Sequence, residues 1–113
     1  MTHPTHVFRI PLRVVFYQEG SDWVAHCLEF DLMGDGPDKA IALERLYQAI
    51  GLQVEATYRH KNEANLFSPA DGRIFAMFAA GKDVGIGKIE ITASPIVVEG
   101  VSTREYSDGL AIA

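Results

Sequence analysis

Between Val7 and Tyr17 the residues Phe8, Ile10, Leu12, Val14 and Phe16 alternate with Arg9, Pro11, Arg13, Val15 and Tyr17. A two-residue period of this kind predicts a strand with one face against a core. Pro11 has no N–H to donate, so this first strand is expected to be an edge, to bulge there, or to begin in earnest only at Leu12. Glu19-Gly20-Ser21-Asp22 reads as a hairpin turn. Trp23 to Leu28 is then the antiparallel partner strand, with Trp23, Ala25 and Cys27 on one face and Val24, His26 and Leu28 on the other. After a break at Glu29-Phe30-Asp31, a third short strand is expected around Asp31 to Gly34, closed by the loop Gly34-Asp35-Gly36.

The period then changes. Pro37 and Asp38 form a helix-start signal, because proline is preorganised for the first helical position and an acid there meets the positive end of the helix dipole. On this reading Gly36 is the N-cap. Ile41, Leu43, Leu46, Tyr47, Ile50 and Val54 recur at three- and four-residue steps, which predicts an amphipathic helix running to about Tyr58. Gly51 weakens that helix by about 1 kcal/mol relative to alanine, and one such residue in five turns is tolerable.

Beyond this helix the pattern is looser. Arg59 to Ala70 is polar and turn-rich and resembles a linker. A shorter helix is expected from Gly72 to Ala80, with Ile74, Phe75, Met77 and Phe78 as its apolar residues and Gly81 as its stop. Lys88 to Thr92 and Ile96 to Val101 read as strands separated by Ser94-Pro95, and the tail from Ser102 is small and polar enough to be mobile. The chain shows no internal repeat. At 113 residues it fits one domain, with a core over about 7–58 and an extension over about 59–113.

Composition and charge narrow the function classes. The 48% hydrophobic and 22% charged content is that of a globular chain rather than a disordered one. The net charge of -5 has the wrong sign for gripping a phosphate backbone by counterion release. Residues 1–56 carry 4 basic and 8 acidic side chains, and residues 57–113 carry 6 and 7. A partner that meets the N-terminal half should therefore be basic. A single cysteine, Cys27, forms neither an intramolecular disulfide nor a thiolate cluster within one chain, which suits a reducing compartment. Without an apolar signal segment near the N-terminus, and with a longest apolar run of only Ile74 to Ala80, a cytoplasmic location is the expectation.

Candidate chemistry is sparse. Glu29, Asp31 and Asp35 fall close together beside the predicted sheet and could hold a hard cation as a nuclease does, but turns favour acids in any case, and a solvated loop is the preferred reading. His3, His6, His26 and His60 show no convincing ligand spacing on a regular element. Cys27 and His26 are adjacent in a strand and so point to opposite faces, which argues against a Cys–His nucleophile and for a small buried Cys27. Gly85-Ile86-Gly87-Lys88 lacks the spacing of a phosphate-binding loop and reads as a turn. Phe75 and Phe78, with Ile74, belong either to the core or to a contact with another subunit. No catalytic residue, metal or cofactor is expected.

The order of these pieces carries a resemblance. Val14-Val15-Phe16-Tyr17, then Trp23-Val24-Ala25-His26-Cys27-Leu28-Glu29, then Gly34-Asp35-Gly36-Pro37-Asp38-Lys39-Ala40, then Leu43 to Ile50, together resemble the HicB-like antitoxin family over roughly residues 8–58, about half the chain. The resemblance implies an α+β fold, an antiparallel sheet in β-β-β-α-β order of a partial ribonuclease H-like type, followed here by a short C-terminal helix and strand. It also implies a non-catalytic domain that neutralises a small basic HicA-like toxin that cleaves RNA, and assembly as a homo-oligomer, a dimer or tetramer. On that analogy Glu29, Asp31 and Asp35 belong to the partner-facing or loop surface. Residues 59–113 show neither a helix-turn-helix nor a ribbon-helix-helix, so DNA binding is doubtful. The stretch Ser68 to Ile91 is similar to the endings of stand-alone HicB-like proteins, and an oligomeric scaffold or small-ligand binder without a toxin is the alternative.

Overall fold

Leu12, Val14 and Phe16 are fully buried, and so is Val15 between them. A strand buried on both faces needs a cover on each side, and the architecture follows from that requirement. The computed structural model describes residues 8–59, 68–85, 90–93 and 96–107. Its elements in chain order are β1 (Phe8–Glu19), β2 (Asp22–Cys27), β3 (Leu32–Gly36), α1 (Lys39–Arg59), α2 (Gly72–Ala80), β4 (Lys82–Asp83), β5 (Glu90–Ala93) and β6 (Ile96–Glu105). The fold is α+β, with one sheet ordered β3-β2-β1-β6-β4 and β5 also paired to β6.

The hairpin expectation holds. Gly20, in the left-handed region at φ 64°, makes the turn, so that Glu19 and Asp22 face each other as the last ladder pair. From this turn the register runs back through Tyr17↔Val24 and Val15↔His26 to Val14↔Cys27. β3 adds antiparallel to β2, with Val24 opposite Asp35 and His26 opposite Met33.

Several expectations need correction. The sheet is mixed rather than antiparallel, because β6 runs parallel to β1, and the element order is β-β-β-α-α-β-β-β. β1 is therefore central and not an edge, while the irregularity foreseen at Pro11 is present as a register shift against β6 between Ile10 and Leu12. Residues 102–105 are not a mobile tail. They complete β6 beside Arg13 to Phe16, with Thr103 buried at 2% exposure. Asp38, not Gly36, is the N-cap of α1: its carboxylate accepts from the Ile41 N–H at 2.8 Å and its carbonyl from the Ala42 N–H. An aspartate caps better than a glycine because it supplies an acceptor for an orphan N–H. β3 begins one residue later than expected and extends to Gly36, and β4 was not foreseen. Most of the linker-like stretch, the histidines His3, His6 and His60, and Ile86 to Lys88 lie outside the described residues.

The two faces are covered unequally. On one side α1 buries Ala42, Leu43, Leu46, Ile50 and Val54 against Leu12, Val14, Phe16, Ala25, Cys27 and Phe30. Each fully buried aliphatic side chain there is worth about 1.5–3 kcal/mol. On the other side only the nine-residue α2 packs down, placing Ile74 and Phe78 with Ala70 on Val15 and Leu28. Phe78 is 8% exposed and Phe75 is half-buried beside it, so both serve the core of this chain. Asp71 caps α2 through its carboxylate to the Arg73 N–H. Among the described residues no helix is long and apolar enough to cross a membrane.

α1 reaches the sheet most closely at Gly34. A Cβ built there would fall inside van der Waals contact with the backbone of Leu46 and Ala42, atoms that cannot rotate away. Gly34→Ala should therefore destabilise by about 3 kcal/mol or more, as severe overpacking does. Gly20→Ala, with open space but a positive φ, should cost only about 1–2 kcal/mol. Urea denaturation of the two variants checks the ranking. A second expectation concerns pH. Burial pushes the Cys27 thiol up from 9.0 to about 11, and the half-buried Tyr47 phenol up from 10.0 to about 12. Both groups ionise more readily unfolded than folded, so their contribution is intact below about pH 9 and is lost as the pH climbs through 9 to 12. The urea midpoint should fall over that window, and less steeply in a Cys27→Ala, Tyr47→Phe double variant.

Candidate functional site

Because α2 is short, it leaves the β2–β3 side of its face without a helix. The alternation of the strands determines what stands there. From β1 come Tyr17 and Glu19, from β2 Asp22, Val24 and His26, and from β3 Met33 and Asp35, brought to one face by the registers of the hairpin and of β3. Two hollows occupy this region. One of about 250 Å³ is lined by Glu19, Asp22, Val24, Met33, Gly34 and Asp35. The other, of about 310 Å³, is lined by Tyr17, Glu19, Arg73, Ile74, Met77 and Tyr106. They share Glu19. Met33, at 55% exposure, and Leu52 on α1 are the large hydrophobic residues that stand in solvent among the described residues.

Beneath the hollows runs a row of three hydrogen-bonded side chains. Tyr17 Oη lies 2.9 Å from His26 Nδ1, and His26 Nε2 lies 2.7 Å from Asp31 Oδ1. An ionised carboxylate can only accept, so Nε2 carries a proton, and in a neutral imidazole Nδ1 is left to accept from the phenol. His26 is 5% exposed, and the two partners satisfy both ring nitrogens of a buried polar side chain. Tyr17 is pushed above its usual value, first by burial and then by the Glu19 carboxylate, with Arg73 opposing. The phenol therefore stays protonated and acts as a donor. Asp31 reaches His26 from a left-handed turn, φ 53°, braced by its N–H on the Cys27 carbonyl. Its side chain remains 48% exposed.

The three acids singled out from the sequence are not brought together. Glu29 is taken up by Arg13, whose Nε donates to Glu29 Oε2 at 2.7 Å and whose backbone N–H donates to Oε1 at 2.8 Å. The same guanidinium lies over the Phe75 ring at 5.1 Å. Asp31 holds His26, and Asp35 stands on the rim of the smaller hollow. Among the described residues no three His, Cys, Asp or Glu side chains gather as a metal site would require. Cys27 is buried on the α1 face and His26 on the other, as the strand period predicts.

Sequence reasoning missed Glu19, Asp22 and the Tyr17–His26 contact. The first two were read only as turn formers. Their signal was in the two-residue turn, which fixes Glu19 opposite Asp22 and so sets both on one face. By the same register Tyr17 sits diagonal to His26, within reach of a long aromatic side chain. Arg73 and Met77 carry no such signal, since their place depends on where α2 docks.

Comparison of the chain with protein-family models, with curated proteins and with solved structures finds no match.

The row of three makes a graded stability prediction. Tyr17→Phe removes one donor and should cost about 1 kcal/mol. Asp31→Ala keeps an unfavourable left-handed residue and leaves the buried Nε2 proton unpaired, so it should cost about 1–3 kcal/mol. Asp31→Asn, which tolerates that backbone and retains an acceptor oxygen, should cost less than Asp31→Ala. Equal losses for the two Asp31 variants in chemical denaturation would show that the carboxylate does not hold the histidine.

Proposed function

We propose that this chain is a non-catalytic protein-binding domain of the HicB-like antitoxin type. It takes a small basic partner, a HicA-like RNA-cleaving toxin, on the part of the sheet face that α2 leaves open. The observation that carries this reading is the smaller hollow. Three carboxylates, Glu19, Asp22 and Asp35, surround an exposed methionine at a place where both neighbouring strands are already covered from behind by α1. An apolar centre ringed by one sign of charge is the arrangement of a docking surface, where the centre supplies desolvation and the ring supplies orientation and association rate. Asp31, half exposed at the end of β2, extends the same negative field.

Three further points support docking rather than turnover. The phenol of Tyr17 is held protonated, His26 is buried at 5% exposure, and the Cys27 thiol is raised to about 11, so neither the phenol nor the thiol is poised as an anionic nucleophile. Of the acids that the resemblance assigns to the partner surface, Asp35 lines the smaller hollow, whereas Glu29 is bonded to Arg13 and Asp31 to His26. The homo-oligomer that the resemblance implies belongs to this reading as well.

The test is calorimetry and co-purification with the product of the gene beside this one. Binding should be salt-sensitive, and the triple variant Glu19→Gln, Asp22→Asn, Asp35→Asn should weaken it about tenfold, the sum of three exposed ion pairs of about 0.5 kcal/mol each. No measurable binding, or binding that ignores the triple variant, overturns the proposal.

A further inference from the structure

The two hollows share the Glu19 wall and differ in charge on their outer walls, and that arrangement bears on what the partner must look like. The hollow at β3 is walled by Asp35, Asp22 and Met33, and the one beside α2 by Tyr17 and Arg73, with Glu19 in the wall of both. Arg73 is exposed on the first turn of α2, and its backbone N–H is already bound to Asp71. Three other guanidinium groups among the described side chains have visible partners. Arg13 holds Glu29, Arg45 donates to the Asp35 carbonyl, and Arg104 donates to the Phe78 carbonyl while lying over its ring. Arg73 is placed differently, facing a hollow whose other walls are Tyr17, Ile74, Met77 and Tyr106 with one carboxylate, Glu19.

Resting on the docking reading above, we infer that the surface is bipolar: it recognises a peptide segment of the partner that sets a cation between Asp22 and Asp35, an apolar side chain on Met33 and Tyr17, and a carboxylate against Arg73. A uniformly basic segment would leave one of its cations beside Arg73, and a uniformly acidic one would meet three carboxylates. Only a segment with both signs meets complementary charge at each end, and the order of charges fixes one orientation across the strands. The spacing follows from the sheet. β3, which carries Asp35, and β1, which carries the shared Glu19, are two strand separations apart, about 10 Å. An extended chain covers about 13 Å in four residues and returns its side chains to one face every second residue. A segment with its cation and carboxylate four residues apart and its apolar residue midway is long enough to cross these strands.

Three blocked pentapeptides test this by titration into the full chain, with backbone amide shifts of Tyr17, Met33, Asp35 and Arg73 as the readout. The bipolar peptide is acetyl-Arg-Ser-Leu-Ser-Glu-amide, and the others replace its Glu by Arg or its Arg by Glu. The bipolar peptide should bind about two- to fivefold more tightly than the dibasic one, the size of one exposed ion pair, and the diacidic peptide should bind weakest. Arg73→Glu should invert the first two, and Arg73→Gln should equalise them. If the dibasic peptide matches or exceeds the bipolar one on the unaltered chain, the bipolar inference is overturned while the acidic docking surface stands. If none of the three shifts these amides, both are overturned.

Discussion

The structure depends on β1 being buried on both of its faces. Leu12, Val14 and Phe16 require one apolar cover, and Val15 with the ring of Tyr17 requires another. A strand in that position must also have both edges paired, since an unpaired backbone N–H or C=O in a dry interior costs free energy comparable to a lost hydrogen bond. The β2 hairpin satisfies one edge locally, and β6 satisfies the other from the far end of the chain. That second pairing is why residues as polar as Ser102, Thr103 and Arg104 are ordered as strand: their backbone is needed beside Arg13 to Val15, whatever their side chains prefer. Chain ordering of this kind is set by the neighbour rather than by propensity.

Unequal cover has consequences on the α2 side. The 21-residue α1 has enough length to hide its face of the sheet, and Gly34 and Gly36 let its backbone come down on β3. The nine residues of α2 do not, and polar side chains complete its face instead. Arg13 bonded to Glu29 and laid over Phe75 closes one margin, and Arg104 over Phe78 closes another. Both use the long apolar stem of arginine to cover rings while the charge stays near water. Across the margin toward β3, the row Tyr17–His26–Asp31 does the same work with hydrogen bonds. It allows a histidine to sit at 5% exposure where a helix would otherwise be needed.

What was legible in the sequence was local in origin. The alternation of Phe8 to Tyr17, the turn at Gly20 and the stripe from Ile41 to Val54 each record a period that a single element imposes, and each element formed where expected. α2 was legible for the same reason, with apolar residues bounded by a capping Asp71 and a terminal Gly81. The parallel pairing of β1 with β6 left no local mark, because about ninety positions separate partners such as Phe16 and Glu105 and nothing in either strand reports direction. Pro11 pointed to an edge or a bulge, and only tertiary pairing decided for the bulge. The candidate site was half legible. Asp31 and Asp35 were visible as acids beside the sheet, but the separate commitment of Glu29 to Arg13, and the placing of Glu19 between a hollow walled by Asp22 and one walled by Arg73, needed the register and the docked helix.

The same asymmetry connects fold to function. On the docking reading proposed above, the open part of this face needs no group poised to attack or to move a proton. Here Cys27 faces α1 and is raised to about 11, Tyr17 is raised and donating, and His26 has a partner on each nitrogen. What stays open on this face is Met33 among Glu19, Asp22 and Asp35, groups that on that reading bind by contact and charge. Mobile methionine side chains adapt to irregular partners, and fixed carboxylates select which partner arrives. A sheet supported from behind by α1 therefore presents a rigid floor with an adaptable centre, and rigidity of the floor is what keeps the ordering cost of association low.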